Sequence, residues 1–298
     1  MIRGALSAHL PHLASERIEP LGMGWAFWAY RAGDTVLRFP RSRESTETLA
    51  VEAAVMRELG PTLPLPVSVI EVHENGPNGL PFTSHRLVRG IPVIDLPRQL
   101  ADEAGAVLGR FIKAMHAFPV ERAAALGLAN PTPKKRLEDR VRFLFMEVTP
   151  RVFPLVSEEA RRHVWRTFKA FLDEPSHFEW QAVVTHRDID ARNVLADPAT
   201  GALTGVVDWG DLSIADPAGD FIDAQRGGLA RLGLREQLDD LLDAYGMTRA
   251  ELETMRPRSD FYEYCWPLHE IIYGLNSRQD DVKQKGIEYL YETVARDG

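Results

Sequence analysis

The chain has 298 residues, 45% hydrophobic and 26% charged, which is the balance of a soluble globular protein long enough to hold two cores. Its net charge of −8 argues against a nucleic-acid partner and is compatible with a cationic small molecule. No apolar run approaches the roughly 18 residues of a membrane span, Met1–His9 lacks the core of a secretion signal, and the lone Cys265 permits no internal disulfide, so we expect a monomer in a reducing cytoplasm with no membrane partner.

In chain order, the first 90 residues read mainly as strands. Arg17–Leu21, Ala26–Arg31 and Thr35–Phe39 are strand candidates, the last two joined by a turn at Gly33-Asp34. A helix is expected over Glu44–Leu59, closed by Gly60-Pro61. Val67–Val72 and Phe82–Val88 follow as strands on either side of a loop, Asn75-Gly76-Pro77-Asn78-Gly79. Beyond Gly90 the period changes. Ala104, Val107, Leu108, Phe111 and Met115 mark an amphipathic helix that stops before Pro119. Ser157 can cap a helix carrying Ala160, Val164, Phe168 and Phe171, which Pro175 ends. Leu238–Tyr245 with Gly246 behind it, a capping box at Thr248 and Glu251, and Asp281–Ala295 predict three more helices. The expected architecture is α+β and bilobal: residues 1–89 form a small antiparallel-sheet lobe, and residues 90–298 form a larger, mainly helical lobe.

The chemistry concentrates in His186-Arg187-Asp188-Ile189-Asp190-Ala191-Arg192-Asn193 and in Asp208-Trp209-Gly210, fifteen residues after Asn193. A carboxylate to orient a hydroxyl, followed by an amide and a second carboxylate as oxygen ligands for Mg²⁺, is the equipment of phosphoryl transfer. Val194-Leu195-Ala196 and Leu203–Val207 are short apolar runs separated by Asp197-Pro198-Ala199-Thr200-Gly201, a turn composition. They predict an antiparallel hairpin with Asn193 entering one strand and Asp208 leaving the other, so both side chains emerge at one end. Mg²⁺ is held by one or two such protein groups plus phosphates and water.

Arg38 and Glu52 belong together. Glu52 shares the inward stripe of its helix with Leu49, Ala53, Met56 and Leu59, and a carboxylate there needs a cation. Arg38 in Val36-Leu37-Arg38-Phe39-Pro40 is the candidate, and in a kinase arrangement such a pair holds nucleotide phosphates. Gly22-Met23-Gly24 lies between strands, where it could admit phosphates or simply turn the chain. His186, ending the apolar run Val183-Val184-Thr185, suits a structural role, as does Asp216 in Asp216-Pro217. Only seven residues separate Asp208 from Asp216, too few for a segment on which a protein substrate could dock.

On these residues the chain resembles the aminoglycoside phosphotransferase family, a kinase-like branch that also includes macrolide phosphotransferases. The likeness runs from Leu21-Gly22-Met23-Gly24 through Val36–Pro40, the His186–Asn193 motif, Asp208-Trp209-Gly210 and Asp216-Pro217. It implies that Asp188 is the catalytic carboxylate and that Asn193 and Asp208 hold Mg²⁺. It further implies ATP or GTP as co-substrate, bound by Gly22, Gly24, Arg38 and Glu52, with the backbone from Arg86 to Val88 meeting the purine. The expected activity is transfer of the γ-phosphate to a hydroxyl of an antibiotic, an aminoglycoside in the first instance. Glu263 and Glu270 are the substrate-contact candidates, although the surrounding Tyr262, Trp266 and Ile272 also read as helix core. The chain departs from the family pattern in three ways: Arg38 replaces the usual strand Lys, Arg187 stands where Gly is frequent, and the glycine loop is incomplete. A macrolide or metabolite kinase, a nucleotide-binding protein without turnover, and a protein kinase are the alternatives. The short Asp208–Asp216 interval opposes the last.

Overall fold

A computed structural model describes residues 2–24, 26–77, 79–129, 133–221 and 234–297. Asn78 of the expected loop therefore lies outside the described residues. The architecture is α+β, with antiparallel sheet toward the N-terminus and helices dominating later. Packing sorts the chain into two compact units: Met1–Ala129 with Val183–Ile214 and Asp223–Thr248, and Asn130–Ala182 with Ala215–Ile222 and Arg249–Gly298. The division expected at residue 90 follows secondary-structure type, whereas packing draws the motif hairpin and the first helices after Gly90 into the unit that holds the large sheet.

That sheet has the order β1-β2-β3-β5-β4, from β1 (Ile18–Met23), β2 (Phe27–Ala32), β3 (Thr35–Pro40), β4 (Glu71–His73) and β5 (Phe82–Arg86). Side chains alternate across its two faces. Ala32, Leu37, Phe39 and Phe82 pack on one face with Ala5, Leu6, Leu10 and Leu13, which come from α1 (Ile2–His9) and the turn behind it. We did not foresee α1 in a stretch read as strands. A helix of eight residues offers too few turns for its period to register, and burial of its stripe stabilises it. The opposite face carries Phe27 and Val72 against Leu49 and Ala53 of α2 (Leu49–Leu59).

Two sequence expectations need correction. Residues 44–46 form a separate 3₁₀ turn, so the helix begins at Leu49, not Glu44. Of Val67–Val72 only the end enters a strand; Val67 instead bridges in parallel to Val206, and the Pro66 carbonyl accepts from Val206 N–H at 3.0 Å. An apolar run signals burial without naming its partner, and this one serves a different sheet.

In the second sheet β6 (Ile91–Pro92) pairs with β8 (Val194–Ala196), and β8 pairs with β9 (Leu203–Val206); β7 (Val183–Thr185) lies outside this sheet. β8 and β9 form the expected hairpin, with Val194 opposite Val206 and the turn tied by Asp197 Oδ1, which accepts from Ala199 and Thr200 N–H. Beside it α3 (Ala104–His116), which α4 (Val120–Ala125) follows in the chain, packs on α7 (Leu238–Tyr245) through Gly105 and Gly109, where any Cβ would overlap the Gln237 and Leu241 carbonyls. Gly109→Ala should therefore force these helices apart and cost about 2–3 kcal/mol, read from a urea midpoint.

The second unit is helical: α5 (Pro133–Arg151), α6 (Glu158–Asp173), α8 (Arg249–Ser277) and α9 (Asp280–Asp297). Leu144, Val148, Val164, Phe168, Phe261, Leu268, Ile271 and Leu290 join in its core. Ser157 caps α6 as expected, accepting from Ala160 N–H at 3.2 Å. α8 continues through Pro257 and Pro267, which a sequence pattern would take as stops. Cys265 is fully buried there, and burial pushes its thiol well up, as expected of a core cysteine. Among the described residues no helix is long and apolar enough to cross a membrane.

Candidate active site

The site is assembled on the hairpin. Val207 N–H donates to the Asn193 carbonyl at 2.9 Å, which extends the β8–β9 pairing by one step and leaves Asn193 and Asp208 at the same end. Arg187 and Asp208 both adopt left-handed backbone, with φ of 69° and 67°. Neither residue is glycine, so each conformation costs free energy that the surrounding bonds must offset. His186 supplies part of that restraint. It is wholly buried, its Nδ1 accepts from Asp188 N–H at 3.2 Å, and its Nε2 lies 3.1 Å from the Val207 carbonyl. An amide N–H can only donate and a carbonyl can only accept, so the ring is the neutral Nε2–H tautomer, and His186 ties the motif loop to the hairpin.

Asp190 is a second brace that we missed in the sequence. Its carboxylate accepts the N–H groups of Arg192 and Asn193 and the Arg192 side chain. The only available signal was its place inside the motif. Asn193 Nδ2 donates to Asp188 Oδ2 at 2.7 Å and to the Asp188 carbonyl at 2.9 Å. Those two acceptors fix the amide's orientation, and among the described residues no donor meets its Oδ1. An amide oxygen beside a carboxylate that is 57% exposed is a hard-oxygen pair of the kind Mg²⁺ takes, so the residues fit the ion.

Burial pushes the Asp188 carboxyl up from 3.8 to about 7, with Asp190, Asp211 and Asp208 adding repulsion and the Asn193 bond opposing it. Four carboxylates thus share one neighbourhood, which an incoming cation would relieve.

Arg38 closes the other side. Its Nη1 donates to Glu52 Oε1 at 3.2 Å, its Nη2 reaches Asp208 Oδ1 at 3.4 Å, and its guanidinium lies 4.4 Å over the Phe27 ring. Burial pushes Glu52 up while Arg38 pulls it down. The expected Arg38–Glu52 pair is present, and its extension to Asp208 was not foreseen. A lysine has one ammonium in place of a fork, so the arginine is what lets one side chain touch both acids. Arg38→Met should strand the Glu52 charge and cost about 2–4 kcal/mol; adding Glu52→Leu should restore most of the Tm without restoring nucleotide affinity.

The remaining candidates fall as follows. Gly22 lies in β1 with φ 155°, a conformation that L side chains rarely adopt, and a Cβ there would meet open space. Gly24 N–H donates to the Phe27 carbonyl at 2.9 Å, at the head of β2. Arg86 ends β5 exposed, and Val88 is buried. Asp216 caps the next turn through Ala218 N–H, and it also accepts Arg258 Nε at 2.7 Å and Tyr262 O–H at 2.8 Å. Its structural assignment has two partners on α8 that no local pattern announced. Glu263 is half-buried, whereas Glu270 is 4% exposed with Oε1 3.8 Å from Lys285 Nζ on α9. Glu270 therefore lies between α8 and α9, less open to solvent than Glu263.

A family model described as "Phosphotransferase enzyme family" matches residues 17–258. The chain belongs to the phosphotransferase enzyme family. Among relatives of this family member, viomycin phosphotransferase of Streptomyces vinaceus is 28% identical over a 196-residue alignment that covers 62% of this chain and 65%, just under two thirds, of that protein. The GDP complex of aminoglycoside 2'-phosphotransferase-IIIa superposes with a TM-score of 0.84 at 23% identity, covering 99% of this chain and 98% of that one. Macrolide 2'-phosphotransferase MphH of Brachybacterium faecium gives 0.69 at 20% identity, covering 96% and 98%. At such identities the solved structures establish the fold, which is kinase-like.

Proposed function

We propose that this phosphotransferase moves the γ-phosphoryl group of ATP or GTP onto a hydroxyl of a small antibiotic, an aminoglycoside in the first instance. What carries it is the convergence of Asp188, Asn193, Asp208, Arg38 and Glu52 on one hairpin end. Asn193 Oδ1 and the Asp208 carboxylate would hold Mg²⁺, which when bound neutralises charge on the phosphates. Arg38, steadied by Glu52, would release Asp208 and turn its fork to the phosphates. Asp188, its position set by Asn193 and the His186-tied backbone, would accept the hydroxyl's hydrogen bond and draw off its proton. The glycines at 22 and 24 would leave room over the phosphates, and Arg86 to Val88 would border the purine. Positioning and electrostatics supply most of such catalysis. The acids around Asp188 favour a cationic acceptor, which an aminoglycoside is, and the name of the viomycin enzyme adds viomycin as an acceptor to test. The likeness to the macrolide enzyme keeps a macrolide as the second reading.

The direct test is nucleotide consumption with aminoglycosides, viomycin and macrolides, each supplied with ATP and with GTP and Mg²⁺. Acceptor-dependent turnover on one antibiotic class is expected. Nucleotide binding without turnover on any class would leave a protein that binds nucleotide and does not transfer phosphate.

A further inference from the structure

Arg41 grips the glycine turn from the side of the sheet opposite Arg38. Phe27 and Trp28 are neighbours in β2, so their side chains leave the sheet on opposite faces. The Arg38 guanidinium lies over the Phe27 ring, on the face that α2 covers. The Arg41 guanidinium lies 5.9 Å from the centre of the Trp28 ring, on the face where Trp28 packs with Phe39, Phe82 and the residues of α1. Two bonds join Arg41 to the turn. Its backbone N–H donates to the Ala26 carbonyl at 2.8 Å, which carries the β2–β3 pairing one step beyond Phe27 and Pro40. Its Nη1 donates to the Gly24 carbonyl at 3.1 Å. Because Gly24 N–H already donates to Phe27, both backbone polar groups of this glycine are tied down.

We propose that Arg41 is a positioning residue for the phosphates: it draws the Gly24 carbonyl toward the Trp28 face and so keeps its lone pairs off the Arg38 face, where the co-substrate's phosphates lie. This inference rests on the nucleotide site proposed above and names a residue that reading does not use. A peptide carbonyl aimed at a phosphate sets acceptor against acceptor, and neither group can supply the missing proton. Glycines on both sides of Met23 give the turn little stiffness of its own, so the carbonyl needs a restraint from outside. A guanidinium suits that task because it is charged at every working pH and its planar fork can rest on an aromatic ring while one N–H donates. The two arginines therefore divide the work, Arg38 meeting the phosphates and Arg41 keeping the backbone from opposing them.

The test is isothermal titration of the full chain with MgADP and MgGDP, which avoid turnover, and with adenosine and guanosine, which lack phosphates. Arg41→Met should weaken the tighter-bound diphosphate about tenfold and leave its nucleoside within about twofold, a split that general loss of structure would not produce. The loss should persist at about 0.5 M salt, where the pull of a distant charge is screened. Arg41→Gln, too short to span the same gap, should show the same loss, and it carries the comparison should the methionine variant fail to fold. Arg41→Lys keeps a donor on a long stem and should stay within about threefold of wild type. Unchanged diphosphate affinity in both neutral variants, equal weakening of diphosphate and nucleoside, or a loss that vanishes at high salt overturns the assignment of Arg41 while leaving the nucleotide site standing. Failure of the wild type to bind either diphosphate overturns that site and this inference with it.

Discussion

Asp188→Asn is expected to lower phosphoryl transfer by about a thousandfold or more, within the range that a positioned general base contributes, while MgADP affinity changes little. The amide keeps the shape of the carboxylate and can still accept from Asn193, so the loop geometry survives. What is lost is the capacity to take the acceptor's proton. The same substitution should also stabilise the protein in the absence of nucleotide, with a sign fixed by linkage. A carboxyl raised from 3.8 to about 7 binds more protons folded than unfolded between those values. Folding stability contributed by this group therefore falls as pH rises from about 4 to 7, and the penalty is complete above about 7. The ceiling is about 4 kcal/mol, and partial solvent access should reduce it to about 1–3 kcal/mol. The Tm advantage of Asp188→Asn should be greatest at pH 8 and shrink toward zero as pH falls to 4. Substantial turnover in the variant would remove Asp188 from the proposed chemistry, and a pH-independent Tm difference would remove the electrostatic account.

Arg258→Met should be the most damaging single change outside the site, costing about 3–5 kcal/mol. Asp216 and Arg258 are 4% and 7% exposed and bond at 2.7 Å, so removing the cation strands a buried carboxylate with only Tyr262 O–H and Ala218 N–H as partners. Asp216→Asn in the same chain should recover part of the loss. Arg256→Met removes a similar contact to Glu253 on the same helix, but those side chains are about half exposed. It should cost under about 0.5 kcal/mol, because water screens the pair and solvates the partner left behind. Equal losses from the two arginines, in urea titrations, would show that burial is not what sets the cost.

The site was more legible than the fold around it. Asn193 and Asp208 could be placed at one hairpin end because two short strands and a turn lie between them in sequence, and local pairing fixes the register. Glu52 asked for a cation because its helical stripe was apolar, and Arg38 answered it at 3.2 Å. The helix over α3 and the Ser157 cap were legible for the same reason, since period and capping are written within a dozen residues.

Contacts that bring distant segments together were not legible. Arg38 meets Asp208 across 170 residues, Asp216 meets Arg258 across 42, and Val67 joins a sheet that its own strand pattern did not indicate. Glu270 pairs with Lys285 of the following helix, a contact that the residue type alone did not indicate. From the sequence alone came the donor chemistry and its spacing, because hydrogen bonding and side-chain period act over neighbouring residues. The tertiary structure alone decided which charges are buried together, which tautomer His186 takes, and that Arg187 and Asp208 hold left-handed backbone. Those depend on segments far apart in the chain meeting in space, and on local strain that only the assembled surroundings can hold.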